Sequence, residues 1–248
     1  MENLQQQLAL GRAALTMGDW PAAKHAFEAA LAGEETAEAL EGLGLAAWWL
    51  DLADLVFDSR ERAYRIHRER GDSAAAARVA VWLGWDSSAF RGDHAIASGW
   101  LQRARRLLDD QPPSREHAWL ALRAGVFALL DENDPEEAEQ LALETIRLGS
   151  ALGAMDYEIA GRSLHGFAVV TRGRVAEGLR ELDEVSAALV AGEVSDFVLM
   201  GLAGCYLIAA CDRMAARALE HRARFVELAL AAPQLAKTNQ PLPRHGGP

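Results

Sequence analysis

The sequence predicts an all-α protein built from antiparallel helix pairs, and three observations support this prediction. Apolar residues recur at three- and four-residue spacing along most of the chain, which is the pattern of helices with one buried face. Turn residues interrupt this pattern at intervals of about 33 to 41 residues, near Gly18, Asp51, Gly92, Asn133 or Asp134, and Gly173. The sequence has no long stretch of period-two alternation, so we expect no β-sheet.

The segment GDWPAAKHAFEAAL, residues 18–31, shows how one helix pair is built. Gly18 can end a helix in the left-handed conformation, Asp19 can cap the next helix, and Pro21 suits its first turn. Small and apolar residues then share one face: Ala23, Phe27 and Ala30. The segment therefore predicts the end of one helix, a tight turn and a second helix that a neighbour can approach closely.

The same arrangement returns along the chain. The residues at the matching offsets after later turns are Ala97, Leu101, Ala104, Ala138, Ala142, Thr145, Gly178, Leu182 and Val185. Asp134 and Pro135 repeat the cap and first-turn signals, and the turns between pairs fall at residues 71–72, 111–114 and 152–153. A sixth internal turn is expected near Arg213.

These signals predict roughly a dozen helices in a repeat domain spanning residues 1–232. The last segment, residues 233–248, is rich in proline, glycine and polar residues and has no apolar stripe. A segment of this composition cannot bury enough apolar surface to fold, so we predict a disordered tail there.

Composition narrows the classes of protein and partner. Half of the 248 residues are apolar and a quarter are charged, as in globular proteins, and the net charge of −11 repels phosphate backbones, so we expect no direct nucleic-acid binding. No apolar run is long enough for a membrane span, and no secretory leader is recognisable. Cys205 and Cys211 are six residues apart on one predicted helix and point to different faces, which predicts no disulfide and a reduced, cytoplasmic location.

Sequence motifs of catalysis are missing. The sequence has no phosphate-binding loop, no dinucleotide fingerprint, no H-E-x-x-H, no C-x-x-C and no G-x-S-x-G, and no two histidines share a helical metal-binding spacing. We therefore predict no catalytic residue, no metal site and no cofactor. Gly42 and Gly44 form a glycine pair, but without a preceding strand they indicate close helix packing instead of a nucleotide site.

Particular residues resemble a known repeat family. Leu10, Gly11, Gly18, Trp20, Ala23, Phe27 and Ala30 match the tetratricopeptide pattern in spacing and type. The longer later units, including residues 38–72, resemble the helical-repeat region of bacterial LuxR-type transcriptional regulators over residues 8 to 212. This resemblance implies a right-handed, tetratricopeptide-like α-solenoid of about six repeats.

Members of that family carry further repeats and end in a helix-turn-helix DNA-binding domain. Here the repeat pattern fades after Asp212, and no such domain follows. We therefore expect a fragment, a truncated homologue or a stand-alone repeat protein that does not itself read DNA.

The resemblance also implies where a binding groove would lie, because the first helix of each tetratricopeptide pair lines the inner surface. Transferring that register places the following residues in the groove: Arg12, Glu41, Trp48, Trp82, Asp86, Arg123, Phe127, Ser163 and Phe167. A strip of aromatic anchors with a few charges suits recognition of a peptide or a small ligand. The alternative to a binding groove is that these side chains only pack one repeat against the next. In that case Asp86 and Arg123 form an ion pair across adjacent repeats.

Three functions remain open at this point. The first is a non-enzymatic interaction module that binds a protein, a peptide or a small effector as part of a transcriptional regulator. The second is a small-molecule or enzymatic pocket between helices, with Asp86 and Glu41 as its acids. The third is a truncated remnant that self-associates through an exposed last repeat.

Overall fold

The computed structural model describes residues 2–212, and this part of the chain contains eleven α-helices and no β-strand. The helices are α1 (Glu2–Met17), α2 (Trp20–Gly33), α3 (Ala37–Trp49), α4 (Ala53–Glu69), α5 (Ser73–Arg91), α6 (His94–Leu108), α7 (Arg115–Leu130), α8 (Pro135–Ala151), α9 (Met155–Thr171), α10 (Val175–Ala191) and α11 (Phe197–Asp212). The all-α prediction is confirmed. The tail expected at residues 233–248 and the sixth turn expected near Arg213 lie outside the described residues.

The predicted turns lie where the helices end. Gly18, Gly92 and Gly173 have φ angles of 71°, 64° and 84°, in the left-handed region that glycine enters without steric cost. Asp51 and Asn133 enter the same region with φ of 59° and 55°. Asparagine and aspartate tolerate this conformation better than most residues. The five internal turns predicted before residue 212 therefore lie where the sequence places them.

Aspartate caps fix the starts of several helices. The amide of Ala22 donates to Asp19 Oδ1 at 3.1 Å, and the amide of Ala75 donates to Asp72 Oδ1 at 3.0 Å. Asp93 and Asp134 cap α6 and α8 in the same way. Each cap satisfies an amide that would otherwise lack a partner in the first helical turn.

The chain divides into two compact units, one ending at Phe127 and one beginning at Ala128. In the first unit each of the helices α1 to α5 packs against the next one in sequence, and α1 also reaches α3. In the second unit α9 packs against α8, α10 and α11. From α1 to α6 in the first unit and from α8 to α11 in the second, helices that are neighbours in sequence are therefore neighbours in space.

Small residues bring the helices of the first unit close together. The Phe27 ring is 1% exposed and lies against both Gly11 on α1 and Gly42 on α3. A Cβ atom on Gly11 would stand 2.6 Å from Phe27 Cζ, and one on Gly44 would stand 3.1 Å from Arg60 Cγ. The two glycines of the 42–44 pair therefore make room for side chains of neighbouring helices, as the packing interpretation predicts.

None of the helices in residues 2–212 combines the length and the apolar character that crossing a membrane requires. Cys205 and Cys211 both lie on α11 and are not joined in a disulfide, in line with their six-residue spacing.

Candidate functional site

A partly enclosed pocket of about 180 Å³ lies in the first unit, between α3, α4 and α5. Its walls are formed by Glu41, Gly42, Leu45, Arg60, Val79 and Trp82. Two of these residues, Glu41 and Trp82, belong to the groove predicted from the repeat register. The pocket combines apolar walls with an aromatic ring and two charged groups, the composition typical of small-ligand sites.

Arg60 is the cation of this pocket and is only 3% exposed. It lies on the buried face of α4, between Val56 and Ala63. Its Nη1 donates to Asp86 Oδ2 at 2.8 Å, and its guanidinium carbon lies 4.1 Å from the centre of the Trp82 ring. The ion pair and the cation–π contact hold the guanidinium in one orientation at the pocket wall.

Asp86, one turn after Trp82 on α5, is completely buried. Burial raises the pKa of Asp86 to about 6, against the lowering effect of Arg60 and Arg123. Burial also lowers the pKa of Arg60, and the negative charges of Asp86 and Glu41 oppose this lowering. Desolvation thus acts against both charges of this pair, and the mutual attraction offsets part of its cost.

Arg123 on α7 is a second buried cation beside Asp86. It is 3% exposed, and its guanidinium carbon lies 3.7 Å from the centre of the Trp85 ring and 5.5 Å from that of Trp119. The direct partner of Asp86 is Arg60 and not Arg123, which differs from the ion pair weighed in the sequence analysis. Arg123 acts on Asp86 through its charge.

Glu41 lines the other side of the pocket and is already paired. Arg78 donates to both of its carboxylate oxygens, from Nη2 at 2.9 Å and from Nε at 3.0 Å. His67 Nε2 lies 2.9 Å from Glu41 Oε1, so the ring proton on Nε2 points to the carboxylate. Burial alone would raise the pKa of Glu41, but the hydrogen bonds from His67 and Arg78 outweigh it and lower the pKa.

The same cluster extends to α7. Arg78 Nη1 lies 3.4 Å from Glu116 Oε1, so the arginine bridges two carboxylates. Burial opposes the charge of Arg78, but the hydrogen bond and charge of Glu41 raise its pKa. Because each carboxylate here meets a cation, the cluster is a structural tie among α3, α4, α5 and α7.

The remaining predicted groove residues lie elsewhere. Arg12 is exposed and pairs with Glu38, the Trp48 ring stands edge-on to Trp49 at 5.1 Å, and the Phe127 ring lies 6.4 Å from His94. In the second unit Ser163 is fully buried and donates to the carbonyl of Ala203 at 2.6 Å, and Phe167 is 1% exposed. Of the nine, the structure brings Glu41 and Trp82 to the pocket and places Asp86 directly behind it.

Arg60 is not among the residues predicted from the sequence, although the sequence holds a signal for it. Val56, Arg60, Ala63 and His67 follow one another at three- and four-residue spacing on α4, so Arg60 interrupts an otherwise apolar or weakly polar face. A charged side chain in such a stripe is rarely buried without a partner. That combination identifies an arginine with a specific internal contact.

The second unit holds a separate charged cluster around His165 on α9. Its Nδ1 pairs with Glu181 on α10, and its Nε2 lies 3.8 Å from Glu139 on α8. Arg172 and Arg174 also pair with Glu139. The hydrogen bond from His165 to the Glu181 carboxylate raises the pKa of His165 despite partial burial. Burial would raise the pKa of Glu139, but the two arginines outweigh it and lower that pKa. The cluster ties three helices together.

In residues 2–212 no group of three or more histidine, cysteine or acidic side chains is arranged to hold a metal ion. No protein-family model and no curated protein matches the chain.

Proposed function

We propose that the chain is a non-enzymatic interaction module, a tetratricopeptide-like α-solenoid that binds a small effector or a partner's side chain in the pocket between α3, α4 and α5. The observation that carries the proposal is the placement of the Arg60 guanidinium at the pocket wall. Burying an ion pair costs free energy that an apolar pair of similar volume would not require. A role in recognition accounts for a buried cation that lines a pocket.

The hydrogen-bond partners of Asp86 and Glu41 favour a binding role over catalysis. Asp86 is paired with Arg60, and Glu41 accepts from Arg78 and His67. A general acid or base must reach the substrate with an available proton or lone pair. Asp86 is completely buried, and both carboxylate oxygens of Glu41 already accept hydrogen bonds from Arg78, which supports recognition without chemical conversion.

The regulatory setting of the proposal comes from the resemblance to the helical-repeat region of LuxR-type transcriptional regulators. In such a setting this chain would be the part that binds an effector or a partner, and DNA contact would belong to another domain. The net charge of −11 supports this division, because an acidic surface repels the phosphate backbone.

The test is a ligand screen read at Trp82. The chain has seven tryptophans, so a ¹⁵N-labelled sample gives seven indole N–H signals, and the Trp82→Phe variant assigns the one at the pocket. Small acids, amides, amines and short peptides are then added one at a time. We expect at least one class to shift the Trp82 indole signal in a saturable manner.

Trp100 provides the matched control, because it lies on α6 in the same unit and does not line the pocket. The Trp100→Phe variant should bind the same compounds as the unmodified chain. In the unmodified chain, the Trp100 indole signal should not shift when these compounds are added. Saturable shifts confined to tryptophans away from the pocket, or chemical turnover of a bound compound, would contradict the proposal.

A further inference from the structure

We infer that the ligand of this pocket is a small neutral amide with an apolar body about the size of a benzene ring, whose carbonyl accepts from Arg60 and whose N–H group donates to Glu41. The inference rests on the proposed function and adds the chemical class of the ligand. It depends on three features of the pocket: a hydrogen-bond donor on α4, an acceptor on α3, and apolar walls of limited extent.

Arg60 and Glu41 both line the pocket, but they are not paired with each other. Arg60 pairs with Asp86. Glu41 accepts from Arg78 and His67. The charge of Glu41 nevertheless acts on Arg60, so the two groups lie near enough to interact through space. A ligand in this pocket therefore meets a cation and an anion together.

Arg60 supplies the donor. A guanidinium carries five N–H groups, and the hydrogen bond that Arg60 makes within residues 2–212 is the one from Nη1 to Asp86. Its Nε and Nη2 donate to no acceptor in that part of the chain. Because Arg60 lines the pocket, these N–H groups are available to a carbonyl oxygen that enters it.

Glu41 supplies the acceptor. In the described part of the chain its Oε1 accepts from Arg78 and His67, whereas its Oε2 accepts from Arg78 alone. A carboxylate oxygen has about two lone-pair sites, so Oε2 can accept one further hydrogen bond. Burial opposes the charge of Glu41, but the hydrogen bonds from His67 and Arg78 lower its pKa. A carboxylate with a lowered pKa accepts a hydrogen bond without removing the proton.

The two charged walls together favour a neutral ligand group. A carboxylate would satisfy Arg60 but would place a second anion beside Glu41. An ammonium or amidinium group would satisfy Glu41 but would place a second cation beside Arg60. Like charges repel more strongly in a partly enclosed site than in water. A primary amide carries no charge and presents a carbonyl acceptor and N–H donors on one planar group, so it matches both walls.

The rest of the pocket determines the size and polarity of the ligand body. Leu45, Val79 and Trp82 present apolar surface, and the volume is about 180 Å³. An engineered apolar cavity of about 150 Å³ in another protein binds benzene. The present pocket therefore accommodates a benzene-sized ring or a branched aliphatic group together with an amide.

Benzamide is the probe that tests the inference, with three analogues of nearly the same shape. Acetophenone lacks the N–H donor, benzoate carries a negative charge, and benzamidine carries a positive charge at neutral pH. Each is titrated into the whole chain, and binding is measured by calorimetry and by the shift of the Trp82 indole signal. We expect saturable binding of benzamide and at least about fivefold weaker binding of each analogue, because each leaves one wall unmatched or opposed by a like charge.

Two variants and one control locate the bound amide. The double variant Arg60→Met, Asp86→Leu removes the guanidinium together with its partner, and Leu45→Phe fills the pocket without changing its charge. Both should weaken benzamide binding at least about tenfold. Arg62→Gln, which removes an exposed arginine from the same helix, should bind benzamide as the unmodified chain does.

A variant of Glu41 tests the acceptor wall. Glu41→Gln removes the negative charge and keeps the shape of the side chain, so the affinity for benzoate should rise relative to that for benzamide by at least about fivefold. Glu38→Gln changes an exposed acid on the same helix and should leave this ratio unchanged. The indole signals of each variant show whether it is folded. A ratio that Glu41→Gln leaves unchanged in a folded variant would overturn the contact with Glu41.

The outcomes separate this inference from the proposed function. Benzoate or benzamidine bound as tightly as benzamide would overturn the neutral ligand, and acetophenone bound as tightly would overturn the donated hydrogen bond. Benzamide binding that survives the loss of Arg60 would overturn the accepted one. Absence of benzamide binding would overturn the inference as a whole, and the broader screen at Trp82 would still decide the proposed function.

Discussion

Arg60 on α4 and Asp86 on α5 form an ion pair of 2.8 Å in which both side chains are almost completely removed from solvent. Removing one member of such a pair leaves the other charge buried and uncompensated. Removing both members together avoids that penalty. We therefore expect single substitutions of this pair to lower the stability of the fold more than the double substitution does.

The first prediction concerns Asp86→Asn and Arg60→Met. Each single change should lower the free energy of unfolding of the first unit by about 3 to 5 kcal/mol. The double variant Arg60→Met, Asp86→Leu should be more stable than either single variant. All seven tryptophans lie between residues 20 and 119, so tryptophan fluorescence during urea unfolding reports on this unit.

Arg62 supplies the control for this prediction. It lies on the same helix and pairs with Glu35 and Asp58, but its side chain is 32% exposed. Arg62→Gln should change the free energy of unfolding by less than about 1 kcal/mol, because solvent screens exposed pairs. Additive losses in the double variant, or a loss at Arg62 equal to that at Arg60, would contradict the interpretation of the buried pair.

The second prediction concerns the pH dependence that Asp86 gives the fold. Its pKa in the folded chain is about 6, above the reference value of 3.8. Between these values the folded chain keeps a proton that the unfolded chain releases. The contribution of Asp86 to the free energy of unfolding is therefore largest below pH 3.8 and declines as the pH rises through about 6.

The measurement compares the unmodified chain with the double variant Arg60→Met, Asp86→Leu at a series of pH values. Contributions from acids away from the pair, such as Glu139 in the second unit, are shared by both proteins and cancel in the difference. We expect the stability of the unmodified chain relative to the variant to fall from pH 4 to pH 6 and to level off above pH 7. A difference that rises with pH over that interval would show that the charged pair lowers the Asp86 pKa instead.

The third prediction concerns His165 in the second unit. Its pKa is raised, first by the hydrogen bond to Glu181 and further by the charges of Glu181 and Glu139, against burial and Arg174. The stabilisation from the protonated ring is fully present below its reference pKa of 6.5 and is lost as the pH rises through the raised value. An NMR titration of the ring Cε1–H signal should give a midpoint above 6.5.

Variants on α10 test the cause of that shift. Glu181→Gln should move the His165 midpoint down, because it removes the charged acceptor. Glu184→Gln changes an acid that is 71% exposed on the same helix and should leave the midpoint where it was. If both variants moved the midpoint equally, the shift would arise from the general charge of α10 and not from the hydrogen bond.

Local features of this fold could be predicted from the sequence, whereas contacts between helices could not. Gly18, Asp51 and Asn133 adopt the turn conformations that their residue types favour, because that preference depends on the residue alone. Arg60 and Asp86 are 26 residues apart, and their contact depends on how α4 crosses α5. No local pattern encodes that crossing.

The predicted groove illustrates a second limit. Alignment with the tetratricopeptide repeat register identifies the face of a helix that points inward. It predicts that Ser163 and Phe167 lie on that face of α9. The structure buries both residues, and Ser163 donates to Ala203 because α11 packs against α9. The register of one helix does not indicate whether a later helix covers the same face.

The last prediction compares two helical glycines of the first unit, Gly42 on α3 and Gly99 on α6. A Cβ atom at Gly42 would overlap the Phe27 ring, which is 1% exposed and also lies against Gly11. Gly42→Ala should therefore lower the free energy of unfolding by about 1 to 3 kcal/mol, the usual cost of overpacking a core. Nothing lies within 4 Å of a Cβ atom at Gly99.

Gly99→Ala should raise the free energy of unfolding by about 0.5 to 1 kcal/mol, because alanine loses less backbone entropy than glycine on entering a helix. Urea unfolding followed by tryptophan fluorescence measures both variants. Both variants replace glycine by alanine in a helix, so the gain in helix propensity is similar. A change of opposite sign in the free energy of unfolding therefore reports the space available for the added methyl group. If Gly42→Ala were also stabilising, the close approach of α3 to the Phe27 ring would not be a feature of the folded chain.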